Sequence, residues 1–320
     1  MSVHVLAPGL LTSVQAGPRS GYRHLGVGAS GALDPYSFTV ANLLVGNDPE
    51  HAVLEMTLKG PRVRFEQATR IAICGATIDA FVGDIAIPGW RYVDLPAASE
   101  LSFGHCRNGV RAYLAIAGGF DVDVRLGNAS TDLRAGFGGW QGRALASGDV
   151  LPVGSATMTR EYLHIDSRWI DSVPDLDFSV PALIRLLPGH DAVADPNSLY
   201  GGEWKVDAAS NRQGLRLQGL TLRLRETKEL DANSRISEPV MPGTVQLPPD
   251  GKPIVLLADA QSHGGYPRIG HCIAVDRPRL AQLRTGDVVR FAPCTHEDAR
   301  RLAREQRQRL ARIAIATGPR

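Results

Sequence analysis

The sequence predicts a mainly β protein. Short apolar runs with strand character recur at close intervals, and 34 glycines and 21 prolines are distributed among them. Many short strands separated by glycine- and proline-rich turns are typical of barrels and sandwiches. The runs that we assign as strands are residues 62–65, 70–74, 111–117, 183–187, 215–224, 254–258 and 288–292.

One short helix is clearly indicated near the N-terminus. It is predicted from Pro35 to about Val45, because Asp34 is a favoured N-cap residue, proline is favoured at the first helical position, and Gly46 stops the pattern. Asp34 is also a candidate ligand-binding residue, but the N-cap position already accounts for it.

A second helix is predicted at the C-terminus. It should begin near Thr295, whose spacing to Asp298 resembles a capping box, and continue into the arginine-rich segment 300–312. Asp276, which precedes Arg277 and Pro278, is interpreted as the N-cap of another helix.

Two halves are expected, since 320 residues are enough for two ordinary domains. The polar stretch 151–181 separates two strand-rich regions, and we place the boundary near Asp166. The predicted organisation is an N-terminal half over 1–165, a C-terminal half over 166–299, and a basic helix or tail over 300–320.

Composition indicates an ordered protein and excludes several classes. Hydrophobic residues make up 43% and charged residues 21%, which is typical of a globular chain, and a net charge of +2 is too small to indicate nucleic-acid binding. No apolar run of about 20 residues and no signal-peptide pattern is present, so we expect a cytoplasmic protein without a membrane span.

The wide cysteine spacing favours buried thiols over a metal site. These cysteines are Cys74, Cys106, Cys272 and Cys294.

The segment 253–276 contains the densest group of polar candidates. An apolar strand is followed by a turn in which Gln261, His263 and Tyr266 accompany the pair Gly264 and Gly265. Paired glycines permit positive φ or the close approach of a ligand, although a plain hairpin turn explains the same pattern. Asp259 lies four residues before His263, so a carboxylate could tune the imidazole as a general base.

A second glycine-rich polar segment covers residues 14–34, and the two segments together resemble a known family. The chain resembles the KipA-like proteins, also called the C subunits of bacterial 5-oxoprolinase, which are similar to the second subunit of the allophanate hydrolase type and to half of the urea carboxylase carboxyltransferase domain. The matching segments are 30–34 with 41–47 and Glu55; 109–119; 130–131 with 138–139 and 142–143; 210–217; and 237–248 leading into 264–265. One departure is Ala16, where the family usually has an aspartate.

The resemblance implies two cyclophilin-like β-barrel halves and a role as one subunit of a heteromeric enzyme. That enzyme would hydrolyse 5-oxo-L-proline to L-glutamate with ATP. Its other two members would be a KipI-like protein, as the B subunit, and a LamB/YcsF-like protein, as the A subunit. ATP, with Mg²⁺, would act at the complex rather than on this chain alone.

Two other functions stay open. The chain could be a carboxyltransferase half-site that acts on a urea-like amide with a separate biotin carrier. It could instead be a regulatory module that antagonises a KipI-like kinase inhibitor, a reading that Ala16 makes less remote.

The catalytic candidates are His263, Asp259 and Glu238, with Glu55 as a weaker one. Arginines in polar loops are candidates to grip a carboxylate, since a guanidinium binds it bidentately, although a surface ion pair is the plainer explanation of each. Asn42 lies in the middle of a predicted helix and must find a hydrogen-bond partner, in the protein or in a ligand. The full set of candidate substrate-binding residues is Arg19, Asn42, Arg143, Arg212, Gln261, Gly264, Gly265 and Tyr266.

Several catalytic motifs are absent from the sequence. There is no G-x-x-x-x-G-K-[ST] loop, no G-x-S-x-G elbow and no H-E-x-x-H pair. No lysine is flanked by methionine in the manner of a biotin-accepting lysine. We therefore expect no Walker-type ATP site, no metal site and no covalent biotin on this chain.

Overall fold

The computed structural model describes residues 1–156, 162–172, 176, 178–179, 181–225 and 236–317. These residues form a mainly β protein, as predicted, arranged in two compact units. The first unit consists of Met1–Arg19, Ser30–Asp177 and Arg307–Arg320, and the second of Ser20–Ala29 and Phe178–Gln306. The chain thus passes into the second unit downstream of Asp166, and a short segment near the N-terminus also belongs to that unit.

The first unit contains a ten-stranded sheet, a helix that packs on it, and the C-terminal part of the long helix that ends at Thr317. The strands are β1 Ser2–Ala7, β2 Leu11–Gln15, β3 Val53–Thr57, β4 Arg62–Phe65, β5 Thr69–Val82, β6 Ile85–Ala86, β7 Tyr92–Leu95, β8 Glu100–Ile116, β9 Val150–Pro152 and β10 His164–Ile165. The central path of the sheet runs β10-β7-β5-β8-β4-β1-β9, with β2, β3 and β6 paired beside it.

The long antiparallel pair of β5 and β8 forms the middle of this sheet. Its register runs from Ile71 opposite Ile116 to Val82 opposite Leu101, with three irregularities along the way. Such bulges bend a long pair and increase its twist. Gly75 lies beside the first of them with φ of 97°, and a Cβ there would lie 2.4 Å from the carbonyl oxygen of Arg111. Only glycine fits at that point.

Helix α1, Pro35–Val45, has the ends that the sequence predicts. The Asp34 carboxylate accepts hydrogen bonds from the Ser37 amide at 2.9 Å and from the Ser37 hydroxyl at 2.6 Å, and Gly46 ends the helix with φ of 80°. Most of the helix is buried against β5 and β8. The N-cap role of Asp34 is therefore confirmed.

The second unit contains a closed barrel of seven strands and a separate two-stranded ribbon. The strands are β11 Ala182–Pro188, β12 Trp204–Val206, β13 Gly214–Gln218, β14 Glu238–Pro239, β15 Thr244–Gln246, β16 Ile254–Leu256, β17 His263–Gly264, β18 Arg268–Cys272 and β19 Val288–Pro293. The barrel order is β11-β18-β15-β16-β13-β12-β19, and β14 and β17 form the ribbon. The predicted run 215–224 is strand only as far as Gln218.

Three helices follow the first strand of the barrel in sequence: α2 Pro196–Tyr200, α3 Arg277–Ala281 and α4 His296–Thr317. The predicted capping box of α4 is confirmed, because Thr295 Oγ1 accepts a hydrogen bond from the Asp298 amide at 3.1 Å. Asp276 does precede α3, but its side chain makes no capping hydrogen bond. Its carboxylate instead pairs with the guanidinium of Arg185, a partner distant in sequence.

The apolar interior agrees with the sequence pattern. In the first unit a large cluster around Phe65, Leu101 and Ile116 fills one face of the sheet, and α1 covers a second cluster around Tyr113. Leu310 and Ile313 of α4 pack against that second cluster. All four cysteines are free and buried, as predicted. Over the described residues, no helix is both long enough and apolar enough to cross a membrane.

Candidate functional site

The ribbon of the second unit carries several of the predicted site residues. Glu238 pairs with Gly264 and Pro239 with His263, and the Val240 amide continues the ladder to the Ser262 carbonyl at 2.9 Å. The side chain of His263 is exposed, and its Nδ1 atom lies 2.9 Å from Ser262 Oγ. A solvent-accessible imidazole on a short ribbon is placed where a substrate could reach it.

The other two predicted catalytic carboxylates are engaged in ion pairs. Asp259, which is 8% exposed, accepts two hydrogen bonds from Arg212, at 2.7 Å from Nε and 3.0 Å from Nη2. Glu238, in β14 of the ribbon, is exposed and forms an ion pair with Arg268 at the start of β18. The geometry gives Asp259 and Arg212 a structural role, and a catalytic role for either carboxylate stays a prediction.

Gly264 differs from the expectation for a glycine turn. Its φ lies outside the left-handed region, because the residue is part of strand β17. A Cβ at this position would instead lie 2.5 Å from Gln246 Nε2 and 3.5 Å from Gln261 Nε2. The absence of a side chain at residue 264 therefore makes room for two amide side chains. Tyr266 follows with 47% of its surface exposed.

Gln246 is a polar residue that the sequence analysis did not select. It is 1% exposed, and its Nε2 atom has no hydrogen-bond partner among the described residues. It lies at the end of β15, where the register against β18 shifts between Val245 and Gln246. Bulges of this kind redirect side chains near functional sites.

Arg23 is the second residue that the sequence analysis missed. It begins a 3₁₀ turn, Arg23–Leu25, and its Nη2 atom donates to the carbonyl oxygens of Val240 and, at 3.2 Å, Gln261. Its Nη1 atom is buried and has no hydrogen-bond partner among the described residues. Burial lowers the pKa of Arg23, yet a guanidinium stays protonated in proteins. The ribbon is thus bound to a cation that lacks a carboxylate partner in the part of the chain that the structure describes.

The two predicted substrate-binding arginines of the first unit both interact with other groups of the protein. Arg19 is 2% exposed, donates to the Ser130 carbonyl at 3.0 Å, and stacks on the Phe137 ring at 4.6 Å. Arg143 forms a bidentate pair with Asp149, at 2.7 and 2.8 Å. Arg19 thus stabilises the glycine-rich loop around residue 138, whereas Arg143 closes a turn.

Asn42 finds its partners within the protein. Its Nδ2 donates to the His51 carbonyl at 2.9 Å, and its Oδ1 accepts from Asn47 Nδ2 at 3.0 Å. Asn47 in turn bonds the Ile116 carbonyl and the Gly118 amide. This network holds the end of α1 against the end of β8, so the geometry favours the structural alternative for Asn42.

A buried polar cluster surrounds Glu55 in the first unit. Its Oε2 accepts from the Tyr113 hydroxyl at 2.8 Å and from the Leu33 amide at 2.9 Å. Burial, together with Glu55 and Asp34, raises the pKa of Tyr113 well above its ordinary value, so the phenol stays neutral and donates. Glu55 is therefore held as an acceptor within the core of this unit.

The segment around Ala16 lies in the same unit. The Ala16 amide donates to Ser130 Oγ at 2.9 Å, and its carbonyl accepts from the Ala32 amide at 3.1 Å. Two buried oxygens of the segment 14–34, Gln15 Oε1 and Ser30 Oγ, have no partner among the described residues. Ser30 also has φ of 50°, which is uncommon outside glycine and concentrates at functional sites.

The chain matches a known protein family over most of its length. Residues 25–293 match the model of the family described as carboxyltransferase domain, subdomain A and B. The chain belongs to this family. It is 38% identical over 315 residues to the C subunit of 5-oxoprolinase from Escherichia coli, and the match covers 97% of each chain.

Larger relatives contain the same fold as a part. The chain is 32% identical to urea amidolyase of Saccharomyces cerevisiae over 95% of its own length, but this is only 17% of that protein. The crystal structure of Kluyveromyces lactis urea carboxylase superposes with a TM-score of 0.89 at 29% identity, over all of this chain and 30% of that one. The chain therefore spans less than a third of these larger enzymes.

Proposed function

We propose that this protein is the C subunit of a heteromeric, ATP-dependent 5-oxoprolinase in the cytoplasm, which hydrolyses 5-oxo-L-proline to L-glutamate. The observation that carries the proposal is the end-to-end match with the C subunit of E. coli 5-oxoprolinase, over 97% of both chains. A Haemophilus influenzae protein of the same name is 33% identical over 92% of each chain. In the urea-processing relatives, by contrast, this chain matches only a small part of a much longer protein.

The partners and cofactor follow from the same proposal. A KipI-like protein and a LamB/YcsF-like protein complete the enzyme, and ATP with Mg²⁺ acts at the complex rather than on this chain alone. No covalent biotin is attached to this chain. In this proposal the exposed His263 manages protons, since hydrolysis of an unactivated lactam requires both carbonyl activation and proton transfer.

The test is glutamate release from 5-oxo-L-proline and ATP by this chain mixed with its two candidate partner proteins. Glutamate should form in the complete mixture and not when this chain alone is omitted. His263→Ala should abolish turnover in a complex that still assembles, with exposed His296, the first residue of α4, replaced by alanine as the control. Undiminished glutamate release without this chain would overturn the proposal.

A second candidate function rests on the family itself. The match to the carboxyltransferase model and the TM-score of 0.89 with urea carboxylase favour a carboxyltransferase half-site that works with a separate biotin carrier on a urea-like amide. Carboxylation of urea by the assembled complex, with carboxybiotin as donor and without glutamate formation, would support this function instead. If neither reaction occurs, the remaining alternative is a regulatory module that binds a KipI-like kinase inhibitor.

A further inference from the structure

We propose that Arg23, Gln246 and Gln261 of the second unit form a binding site for a small monocarboxylate that also carries an amide carbonyl. The inference deepens the proposed function and rests on it for the identity of the ligand, 5-oxo-L-proline. It assigns the binding of that ligand to residues other than the three arginines that the sequence motifs suggest.

The three donors converge on one short segment of the chain. Arg23 Nη2 donates to the carbonyl of Gln261 at 3.2 Å. The side-chain nitrogens of Gln261 and Gln246 lie 3.5 and 2.5 Å from the point where Gly264 would carry a Cβ. The guanidinium and the two amides therefore lie along residues 261–264, beside the exposed imidazole of His263.

Two of these donors have unmet hydrogen-bonding capacity. Gln246 Nε2 and Arg23 Nη1 are both buried and have no partner among the described residues. A buried donor that lacks an acceptor costs free energy, and for Arg23 that donor belongs to a partly buried cation. A ligand that brings acceptors and a negative charge would remove both costs.

The number of donors limits the chemistry of the ligand. One guanidinium without a carboxylate partner in the described part of the chain suits one negative charge, and a carboxylate oxygen can accept from Nη1, because Nη2 already donates to two carbonyls. The amide nitrogens suit a neutral carbonyl oxygen. Cationic and purely apolar ligands would leave these donors unsatisfied, and a triphosphate would bring several charges to one cation.

The competing arginines are already bound within the protein. Arg143 is paired with Asp149 and Arg212 with Asp259, and Arg19 is engaged by a backbone carbonyl and an aromatic ring. Recruiting any of them would break an existing interaction, whereas Arg23 Nη1 has none to lose among the described residues.

The test is isothermal titration calorimetry on the full chain and on the assembled complex with four compounds. 5-Oxo-L-proline and N-carbamoylglycine carry both groups, 2-pyrrolidinone lacks the carboxylate, and cyclopentanecarboxylate lacks the amide. The variants are Arg23→Ala, Arg23→Lys and Gln246→Met, and Arg216→Ala is the control because Arg216 is an exposed arginine of the same unit. Circular dichroism and thermal melting check that each variant is folded.

The expected results distinguish the contribution of Arg23 from that of Gln246. Arg23→Ala should weaken 5-oxo-L-proline binding by about tenfold or more and leave 2-pyrrolidinone binding unchanged. Arg23→Lys keeps the positive charge but lacks the planar guanidinium, so its affinity for 5-oxo-L-proline should lie between those of Arg23→Ala and the wild type. Gln246→Met should weaken 5-oxo-L-proline binding by about three- to tenfold and leave cyclopentanecarboxylate binding unchanged.

Glutamate release distinguishes failure of this site from failure of the proposed function. If the complex forms no glutamate but binds the two-group compounds in a manner that depends on Arg23 and Gln246, the enzymatic proposal fails and the site stands. If no two-group compound binds, or if the folded variants bind 5-oxo-L-proline as the wild type does, the site is overturned, whether or not glutamate is released.

Discussion

The side chains of Arg212 and Asp259 form a bidentate ion pair, with Nε–Oδ2 at 2.7 Å and Nη2–Oδ1 at 3.0 Å. Their backbones also meet, because the Asp259 amide donates to the Arg212 carbonyl at 3.0 Å. The side chains of both residues are at most 6% exposed. The pair thus joins the loop before β13 to the loop after β16, which leads to the ribbon.

We predict that Arg212→Ala destabilises the protein by about 3–5 kcal/mol, because it leaves the Asp259 carboxylate buried without its partner. The double variant Arg212→Met with Asp259→Leu should recover much of this loss, since it removes both charges. Urea denaturation of the three proteins measures the effect. An Arg212→Ala variant with wild-type stability would contradict the structural role, and any loss of its turnover would then indicate a substrate contact.

We predict that Gly264→Ala displaces the Gln246 side chain, since the added Cβ would lie 2.5 Å from Nε2. The cost should be about 1–3 kcal/mol in unfolding free energy. Combining Gly264→Ala with Gln246→Ala should restore most of the stability, because the space is vacated, but it should not restore the binding of 5-oxo-L-proline. Thermal melting and calorimetry on the same samples give the two readouts. Full recovery of binding in the double variant would show that Gln246 is not a ligand contact.

Local patterns predicted the local structure well. The ends of α1 and the capping box of α4 depend on residues a few positions apart, so Asp34, Gly46 and Thr295 suffice to predict them. Each of the seven apolar runs likewise falls on a strand, although β5 and β8 are much longer than the runs that revealed them and the other strands were not predicted. The closed barrel of the second unit has the architecture that many short strands indicate.

The site was harder to predict, because its determinants are contacts between distant residues. The sequence around Gly264 does not reveal that Gln246 lies where a side chain at residue 264 would be. The sequence around Arg23 does not reveal that its guanidinium reaches the carbonyl of Gln261. Asp276 was similarly expected to cap α3, but Arg185, distant in sequence, takes its carboxylate. The available signal for Gln246 was its place in the segment 237–248, which carries part of the family resemblance.

We predict that Asn42→Ala destabilises the protein by about 1–2 kcal/mol, because the His51 carbonyl and the Asn47 side-chain amide lose their partly buried hydrogen bonds to Asn42. Binding of 5-oxo-L-proline should not change, since all the described contacts of Asn42 lie within the first unit. Asn197→Ala is the matched control, because Asn197 is exposed in α2 and its replacement should cost at most about 0.5 kcal/mol. Denaturation midpoints and titration calorimetry test both statements. A weakened ligand affinity at unchanged stability would return Asn42 to the list of binding residues.

We predict that the pair of Arg143 and Asp149 makes stability depend on pH in the acid range. The hydrogen bonds from Arg143 lower the pKa of Asp149 from 3.8 to about 2, against the opposing effect of burial. Because the folded-state pKa is the lower one, the stabilisation is fully present above the unfolded value and is lost as the pH falls from about 4 toward 2. Arg143→Gln should therefore be less stable than the wild type at pH 7, by no more than about 1 kcal/mol since Arg143 is exposed to solvent. The difference should shrink as the pH falls through about 4 and be nearly lost once the pH has fallen through about 2, and urea midpoints measured at intervals from pH 7 downward would show it. A difference that stays constant across this range would mean that Arg143 contributes through packing rather than through the charge of Asp149.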